Sequence, residues 1–147
     1  MIESAEEFVR LRTSQDPVEY RRAAHEPASV EVWLDVIGRF PDMRQWVAHN
    51  KTVPMEVLRR LADDPDRDVR LAVLAKRKVL SRSQVDRSLI EKLSRDPEVL
   101  IRAGIAFHRS SPRDIIERMG KEDPSSWVRG KALETLAALD DEAAAKV

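Results

Sequence analysis

The chain has 147 residues, no cysteine, and 26 basic and 26 acidic residues, so its formal net charge is zero. The missing cysteine excludes disulfides, thiolate-bound zinc, cysteine-ligated iron–sulfur clusters and a cysteine nucleophile. The balanced charge argues against a protein whose whole surface binds polyanions, although residues 44–113 carry 16 basic and 9 acidic residues, a net charge of +7.

The composition predicts a helical protein that buries its own core. Four glycines, 5% aromatic residues and 35% charged residues are typical of helices with solvated faces. No apolar run approaches the about 18 residues of a membrane span. The segment MIESAEEFVRLR lacks the basic region and apolar stretch of a secretory signal. We therefore expect a soluble cytoplasmic protein without membrane association, beginning with an amphipathic cap helix over about residues 3–13.

A seven-residue motif then recurs: Asp-Pro, three variable residues, a usually aliphatic residue and Arg. Pro suits the first position of a helix, and Asp accepts hydrogen bonds from the free amide groups there, so each copy predicts the start of a helix. The Arg is predicted to bond to an Asp of the same or the adjacent unit, in a ladder that positions helices; the alternative is a ligand-binding row of Arg. The motif pairs Asp16 with Arg22, Asp64 with Arg70, Asp96 with Arg102 and Asp123 with Arg129.

The spacing of this motif indicates a repeat of 24 residues. The first interval is 48, twice 24, and Phe40-Pro41 stands where the missing copy would begin. A gapless alignment puts Gln45-Trp46 in the aliphatic-Arg position, whereas a two-residue gap puts Met43-Arg44 there. The later intervals of 32 and 27 residues correspond to insertions of about eight and three residues. Self-similarity at such a period is typical of a solenoid.

A second helix is predicted in each unit, ahead of the next Asp-Pro. In residues 50–65, Thr52 is a candidate cap and Pro54 suits the first helical turn. Apolar residues recur at helical spacing there and in residues 25–41, 81–97 and 108–124, and helices this short must stack on neighbours to bury their apolar faces. These apolar positions are Trp33, Leu34 and Ile37; Val57, Leu58 and Leu61; Leu89, Ile90 and Leu93; and Ile115, Ile116 and Met119.

Residues 46–74, WVAHNKTVPMEVLRRLADDPDRDVRLAVL, resemble the leucine-rich repeat variant, a 24-residue unit of the HEAT-like α-solenoid group. The likeness rests on the Val-Ala-x-Asn, Thr-x-Pro, Val-Leu-x-x-Leu-Ala-x-Asp and Val-Arg-x-x-Val elements, and it extends over roughly residues 16–139. The resemblance implies a right-handed stack of short paired helices with a concave binding surface and no catalytic residues. One relative carries an iron–sulfur cluster in a Cys-rich segment, which a chain without cysteine does not share.

Residue types that perform catalysis or bind metals form no recognisable motif. His25, His49 and His108 are predicted at helix ends, where a positive charge is favoured; metal ligation is the alternative, but no HxxxH or HExxH spacing supports it. The serines lie outside GxSxG and SxxK motifs, and no Gly-rich phosphate loop is present. We predict that Gly38 and Gly120 end helices and that Gly104 and Gly130 mark close helix contacts. No catalytic residue, metal or cofactor is therefore expected.

Residues 76–88, KRKVLSRSQVDRS, interrupt the repeat with a basic insertion. A loop of this kind contacts an acidic partner or phosphate groups, or is simply solvated. Trp46 and Trp127 lie beside the repeated Arg and are candidate binding residues if exposed, with helix packing as the alternative, whereas Trp33 occupies a core position. The basic candidates for binding are Lys76, Arg77, Lys78, Arg82 and Arg87.

These observations predict an all-α fold, a right-handed α-solenoid of about five short helical pairs in one domain over residues 1–147. The repeats occupy about residues 16–139, and a polar tail follows over 140–147. The predicted function is a non-enzymatic protein–protein interaction module that binds an acidic partner through its concave face and basic insertion. Nucleic-acid or phosphate binding is one alternative, and neutralisation of a toxin by an immunity protein is the other.

Overall fold

The structure, a computed structural model, describes residues 1–81 and 83–146. It confirms the all-α prediction: the described residues form ten α-helices and one 3-10 helix over Pro41–Met43, and their only β-type pairing is an isolated bridge between Ile2 and Ala28. None of the described helices is both long and apolar enough to cross a membrane. The α-helices are α1 Ala5–Thr13, α2 Pro17–His25, α3 Val30–Arg39, α4 Arg44–His49, α5 Met55–Leu61, α6 Arg67–Leu74, α7 Arg87–Leu93, α8 Val99–Phe107, α9 Arg113–Glu122 and α10 Ser126–Ala145.

The chain divides into two compact units, Met1–Lys76 and Arg77–Val147. The first contains α1–α6 and the second α7–α10. Most predicted apolar positions are buried, including Trp33, which is fully buried and meets Phe8 edge-on at 5.2 Å between ring centroids. Leu34 differs, because it is exposed while Val36 takes a core position on the same helix. The prediction of a single domain stays a prediction.

Short polar side chains begin several of the helices. Ser4 accepts from the Glu7 amide before α1, Ser29 from the Val32 amide before α3, and Ser125 from the Val128 amide before α10. Each bond satisfies an amide that has no partner within its own helix. The helix predicted over about 3–13 thus begins one residue after Ser4, and the last helix continues through most of the polar tail to Ala145.

The start of α5 differs from the prediction. Pro54 is the residue before the helix rather than within its first turn, and Thr52 does not cap it. The Thr52 hydroxyl instead bonds to Asn50 Oδ1 at 2.6 Å and to the Glu26 carbonyl at 3.3 Å. Thr52 therefore ties α5 back to α2 through Asn50.

The Asp-Pro pairs also start helices differently from the prediction in three of four copies. Only Pro17 is the first residue of its helix. In every copy, however, the Asp carboxylate accepts from the amide two residues later, an Asx turn. The N···O distances are 2.9 Å from Asp16 to Val18, 2.9 Å from Asp64 to Asp66, 2.8 Å from Asp96 to Glu98 and 2.9 Å from Asp123 to Ser125. After the later three turns, the helix begins at the third residue past the Asp.

The close helix contact predicted at Gly130 is found at a different glycine. A Cβ at Gly130 would meet nothing within 4 Å, so this residue is not the predicted point of close contact. Gly120, predicted only as a helix end, lies in α9 where a Cβ would be 3.3 Å from Leu133 Cδ2 of α10. The close approach of α9 and α10 is therefore made at Gly120.

Candidate functional site

In three of the four copies, the repeated Arg bonds to the backbone of its own Asx turn. Each Nη1 donates to the carbonyl of the Asp six residues earlier: Arg70 to Asp64 at 2.8 Å, Arg102 to Asp96 at 2.9 Å, and Arg129 to Asp123 at 2.6 Å. Arg70 and Arg102 also reach the carbonyl of the intervening Pro. The Arg on each helix thus stabilises the turn that connects this helix to the preceding one.

Two Arg residues also bridge to the Asp of the next copy. Arg102 Nε and Nη2 donate to the Asp123 carboxylate at 3.0 and 3.4 Å, and Arg44 Nη1 donates to Asp64 at 3.3 Å. The Asp64 and Asp123 side chains are 6% and 2% exposed, so these are structural bonds rather than accessible binding groups. Arg44 therefore acts as the repeated Arg of the degenerate copy at Phe40-Pro41, which favours the gapped alignment.

Arg22 departs from this pattern. Its guanidinium donates to Glu26 at 2.7 Å and to Glu7 at 3.3 Å rather than to the Asp16 turn. Arg22 thus joins α2 to α1 and does not make the turn bond of the other three copies. The predicted ladder is thus interrupted at the first copy.

The basic insertion is partly built into the fold. Lys76 Nζ donates to the Asn50 carbonyl at 2.6 Å, and Arg87 is paired with Asp114. Val79 is fully buried and Leu80 nearly so, which means that the insertion is not the wholly solvated loop given as an alternative. Arg82 lies outside the described residues.

Arg77 and Lys78 line an open cleft in the second unit. The cleft has a volume of about 530 Å³ and no acidic residue in its lining. Burial lowers the pKa of Lys78, because desolvation disfavours its charged form. The remaining lining residues are Leu80, Ser81, His108 and Ser110.

An exposed apolar face lies on α8 and α10. Leu100 and Phe107 are 47% and 62% exposed and lie seven residues apart, on one side of α8. Trp127 is 48% exposed and shares a side of α10 with Lys131, four residues later, whose ammonium lies 5.3 Å from the centroid of the Phe107 ring. These four residues form one surface, the α8–α10 face.

Trp46, the other predicted aromatic candidate, is half-buried among cationic groups of the first unit. The Arg12 guanidinium carbon lies 3.6 Å from the Trp46 ring centroid and 4.5 Å from that of Tyr20. The His49 ring lies 5.4 Å from the Trp46 ring. Partial burial lowers the pKa of His49, and the charges of Lys76 and Arg12 lower it further, which opposes the positive charge expected at this helix end.

The three histidines occupy the predicted helix ends. His25 and His49 are the last residues of α2 and α4, and His108 directly follows α8. Across residues 1–81 and 83–146, no group of three or more His, Asp or Glu side chains is arranged to hold a metal ion. The expected lack of a catalytic residue, metal and cofactor stays a prediction.

Sequence reasoning missed Arg12, Tyr20, Leu100, Phe107 and Lys131. The repeat register contained a signal for two of them, because Tyr20, Leu100 and Trp127 all stand four residues after the repeated Asp and all are exposed. The roles of Arg12, Phe107 and Lys131 depend on contacts between helices that the sequence does not specify.

No family model, curated protein or solved structure matches the chain.

Proposed function

We propose that the protein is a non-enzymatic protein-binding module, that its helical pairs stack as repeats of a right-handed α-solenoid, and that it binds an acidic partner. The repeated Asx turns and Arg bonds support the repeat architecture, since three copies use the same carbonyl at the same spacing. A bond that recurs at the same position in successive units is typical of a repeat scaffold.

The observation that carries the proposal is the exposed α8–α10 face. Aromatic side chains enriched at protein interfaces bring a large apolar area with few rotatable bonds. Phe107 and Trp127 expose much of their rings although unoccupied surface of this kind costs solvation free energy. Arg77 lines the cleft together with His108, which directly follows Phe107 in the chain, and its charge favours a partner with acidic groups around an apolar anchor. Lys131 on the face is paired with Glu134 at 3.4 Å.

The basic candidates are revised accordingly. Lys76 and Arg87 hold other parts of the chain, so changing them tests folding as well as binding. Arg77 is exposed and lines the open cleft, which makes it the informative basic residue.

The test is affinity purification of the partner from cells that make the protein. The full tagged chain, the double variant Phe107→Ala/Trp127→Ala and the control Leu133→Ala are compared by quantitative mass spectrometry. Leu133 is a matched control because it is an exposed apolar residue of α10, 55% exposed, that is not part of the α8–α10 face. Its side chain lies beside Gly120 of α9. We expect an acidic protein whose recovery falls about tenfold or more in the double variant and is retained by the control. Equal recovery by all three chains would contradict the proposal.

A charge reversal separates the role of the cleft from that of the aromatic face. Arg77→Glu should weaken capture of the same partner, whereas Lys121→Glu, on the exposed part of α9, should not. Both variants change the net charge by the same amount. Equal loss in both would indicate unspecific attraction rather than a contact at the cleft.

Phosphate or nucleic-acid binding is the second candidate function, favoured by the cleft lined with Arg77, Lys78 and His108. Fluorescence anisotropy with labelled DNA and RNA distinguishes it. Binding that is lost steeply as salt increases, and that Arg77→Glu abolishes, would support this function. No binding at about 50 mM salt would eliminate it.

A further inference from the structure

Arg12 differs from its neighbouring arginines in having aromatic rings instead of carboxylates as partners. Arg10 pairs with Glu19, Arg22 with Glu26, and Arg39 with Asp35. Within residues 1–81 of the described chain, the contacts of the Arg12 guanidinium are the Trp46 and Tyr20 rings, at 3.6 and 4.5 Å. Stacking covers the flat faces of a guanidinium but leaves the N–H groups at its edge as donors.

Arg12 and its two aromatic neighbours line a small pocket. The pocket has a volume of about 120 Å³, and Arg12, Tyr20, Trp46 and His49 line it together with the small side chains of Ala23 and Ala24. Drug-sized ligands occupy pockets of roughly 300 Å³ or more, so this pocket fits a single functional group.

Two positively charged side chains act on this pocket. Arg12 of α1 lines it, and burial together with the charges of Lys76, which follows α6, and Arg12 lowers the pKa of His49 of α4. Tyr20 of α2 is the other titratable group in the lining. Two acids of α2 and its end are engaged by other groups, Glu19 by Arg10 and Ser14, and Glu26 by Arg22. An anion in the pocket would be attracted by Arg12 and Lys76 and would offset their effect on His49.

We propose that the pocket formed by Arg12, Tyr20, Trp46 and His49 binds a side-chain carboxylate of an acidic protein segment. The planar carboxylate matches the fork of donors at the edge of the stacked guanidinium, and the flanking rings confine it to that plane. The imidazole of His49 adds a donor whose charge depends on pH. The assignment of the carboxylate to a protein partner rests on the proposed function. The preference for a carboxylate rests on the residues of this pocket, none of which belongs to the α8–α10 face.

The experiment is an NMR titration of the full chain with hexaglutamate, using hexaglutamine and inorganic phosphate as comparison probes. We expect hexaglutamate to shift the Trp46 indole and His49 imidazole signals at concentrations where the other two probes do not. Arg12→Gln should weaken binding about tenfold or more, and Arg12→Lys should also weaken it because an ammonium keeps the charge but loses the planar fork. Arg21→Gln is the matched control, since Arg21 is an exposed arginine of α2 that does not line this pocket.

The pH dependence gives an independent measurement. Bound carboxylate favours the imidazolium, so the pKa of His49 should be higher in the complex than in the free protein, and affinity should increase as the pH falls from about 8 to about 6. His49→Gln should remove this increase while leaving binding at high pH, and it keeps the test decisive if Arg12→Gln fails to fold.

Three results would overturn the proposal: phosphate binding more tightly than hexaglutamate, equal weakening by Arg12→Gln and Arg21→Gln, or no shift at Trp46 and His49 with any acidic probe. Failure of the α8–α10 variants to lose their partner would overturn the proposed function without touching this result. The two ideas are therefore tested separately.

Discussion

Asp123 shows how one residue of the motif performs two tasks. Its carboxylate accepts from the Ser125 amide at 2.9 Å, which forms the turn, and from Arg102 Nε at 3.0 Å, which joins the preceding copy. Its carbonyl accepts from Arg129 at 2.6 Å. A single Asp therefore links three helices, which explains why the motif recurs even where the helix does not begin at Pro.

Asp123→Ala should be strongly destabilising. It leaves the Arg102 charge, 12% exposed, without its carboxylate and removes the Asx turn, at a cost of about 3 kcal/mol in the free energy of unfolding. Asp123→Asn keeps an oxygen for the turn and should cost less. Urea denaturation measures both, with Asp114→Ala of the exposed Arg87–Asp114 pair as the control, where little change is expected. Equal effects of the buried and exposed substitutions would contradict the assignment.

Asn50 is fully buried and connects two turns of the first unit. Its Nδ2 donates to the Ala23 and Glu26 carbonyls at 2.8 and 2.9 Å, and its Oδ1 accepts from the Thr52 amide at 2.8 Å. This one side chain satisfies backbone groups that would otherwise be buried without partners.

Asn50→Asp should destabilise more than Asn50→Ala at neutral pH. Alanine leaves the carbonyls unsatisfied, which costs about 2–3 kcal/mol, whereas aspartate places a buried negative charge against the same two carbonyls. Urea unfolding at neutral pH compares the two variants. A more stable Asn50→Asp than Asn50→Ala would show that these donors do not hold the turn.

At the scale of elements, α10 shows how one helix serves both packing and binding. Val128, Ala132 and Thr135 are buried, and the Thr135 hydroxyl donates to the Ala106 carbonyl of α8 at 2.7 Å. An adjoining side of the helix exposes Trp127. The helix is thus held against its neighbours by one side while the other remains accessible.

Gly130→Ala should stabilise the protein by about 0.5–1 kcal/mol, because alanine favours a helix interior and its Cβ has open space there. Gly120→Ala should gain less, since its Cβ would lie 3.3 Å from Leu133 Cδ2 and the exposed leucine must shift. Urea midpoints of the two variants test the difference. A larger gain at Gly120 than at Gly130 would be inconsistent with the close approach of α9 and α10.

At the scale of the whole molecule, ion pairs cover much of the surface. Exposed carboxylates on several helices have a lowered pKa because Arg side chains bond to their charged form, and backbone bonding contributes most for Glu6. The same direction holds for Glu26, Asp35 and Asp114. Such pairs are individually weak but all respond to pH in one direction.

The free energy of unfolding should therefore decrease in acid. A carboxylate with a lowered pKa in the folded state contributes stability above its ordinary pKa, 4.5 for Glu and 3.8 for Asp, and loses it as the pH falls below that value through the folded-state pKa. His49, whose pKa is lowered from 6.5, acts in the same direction below that pH. Urea denaturation across this range should show the loss, and at about 0.5 M salt the carboxylate part should shrink. Constant stability down to pH 3 would contradict it.

Sequence by itself determined the helical class and the turns at the recurring Asp residues, because these depend on local propensities and short-range hydrogen bonds. It placed the apolar doublets such as Leu89 and Ile90 in the core, and it named Trp127 as a binding candidate. It did not decide between Arg44 and Trp46 in the degenerate copy. The two alignments differ in which side chain reaches Asp64, and that depends on how the helices pack.

Only the tertiary structure decided which polar groups are used internally and which remain accessible. Lys76 and Arg87 look equivalent to Arg77 along the chain, yet the first bonds to Asn50 and the second to Asp114, partners 26 and 27 residues away. The contacts of Arg12 with the Tyr20 and Trp46 rings likewise join three separate helices. The strength of such contacts depends on distances of a few ångströms, which are set by how the helices pack and not by the order of residues.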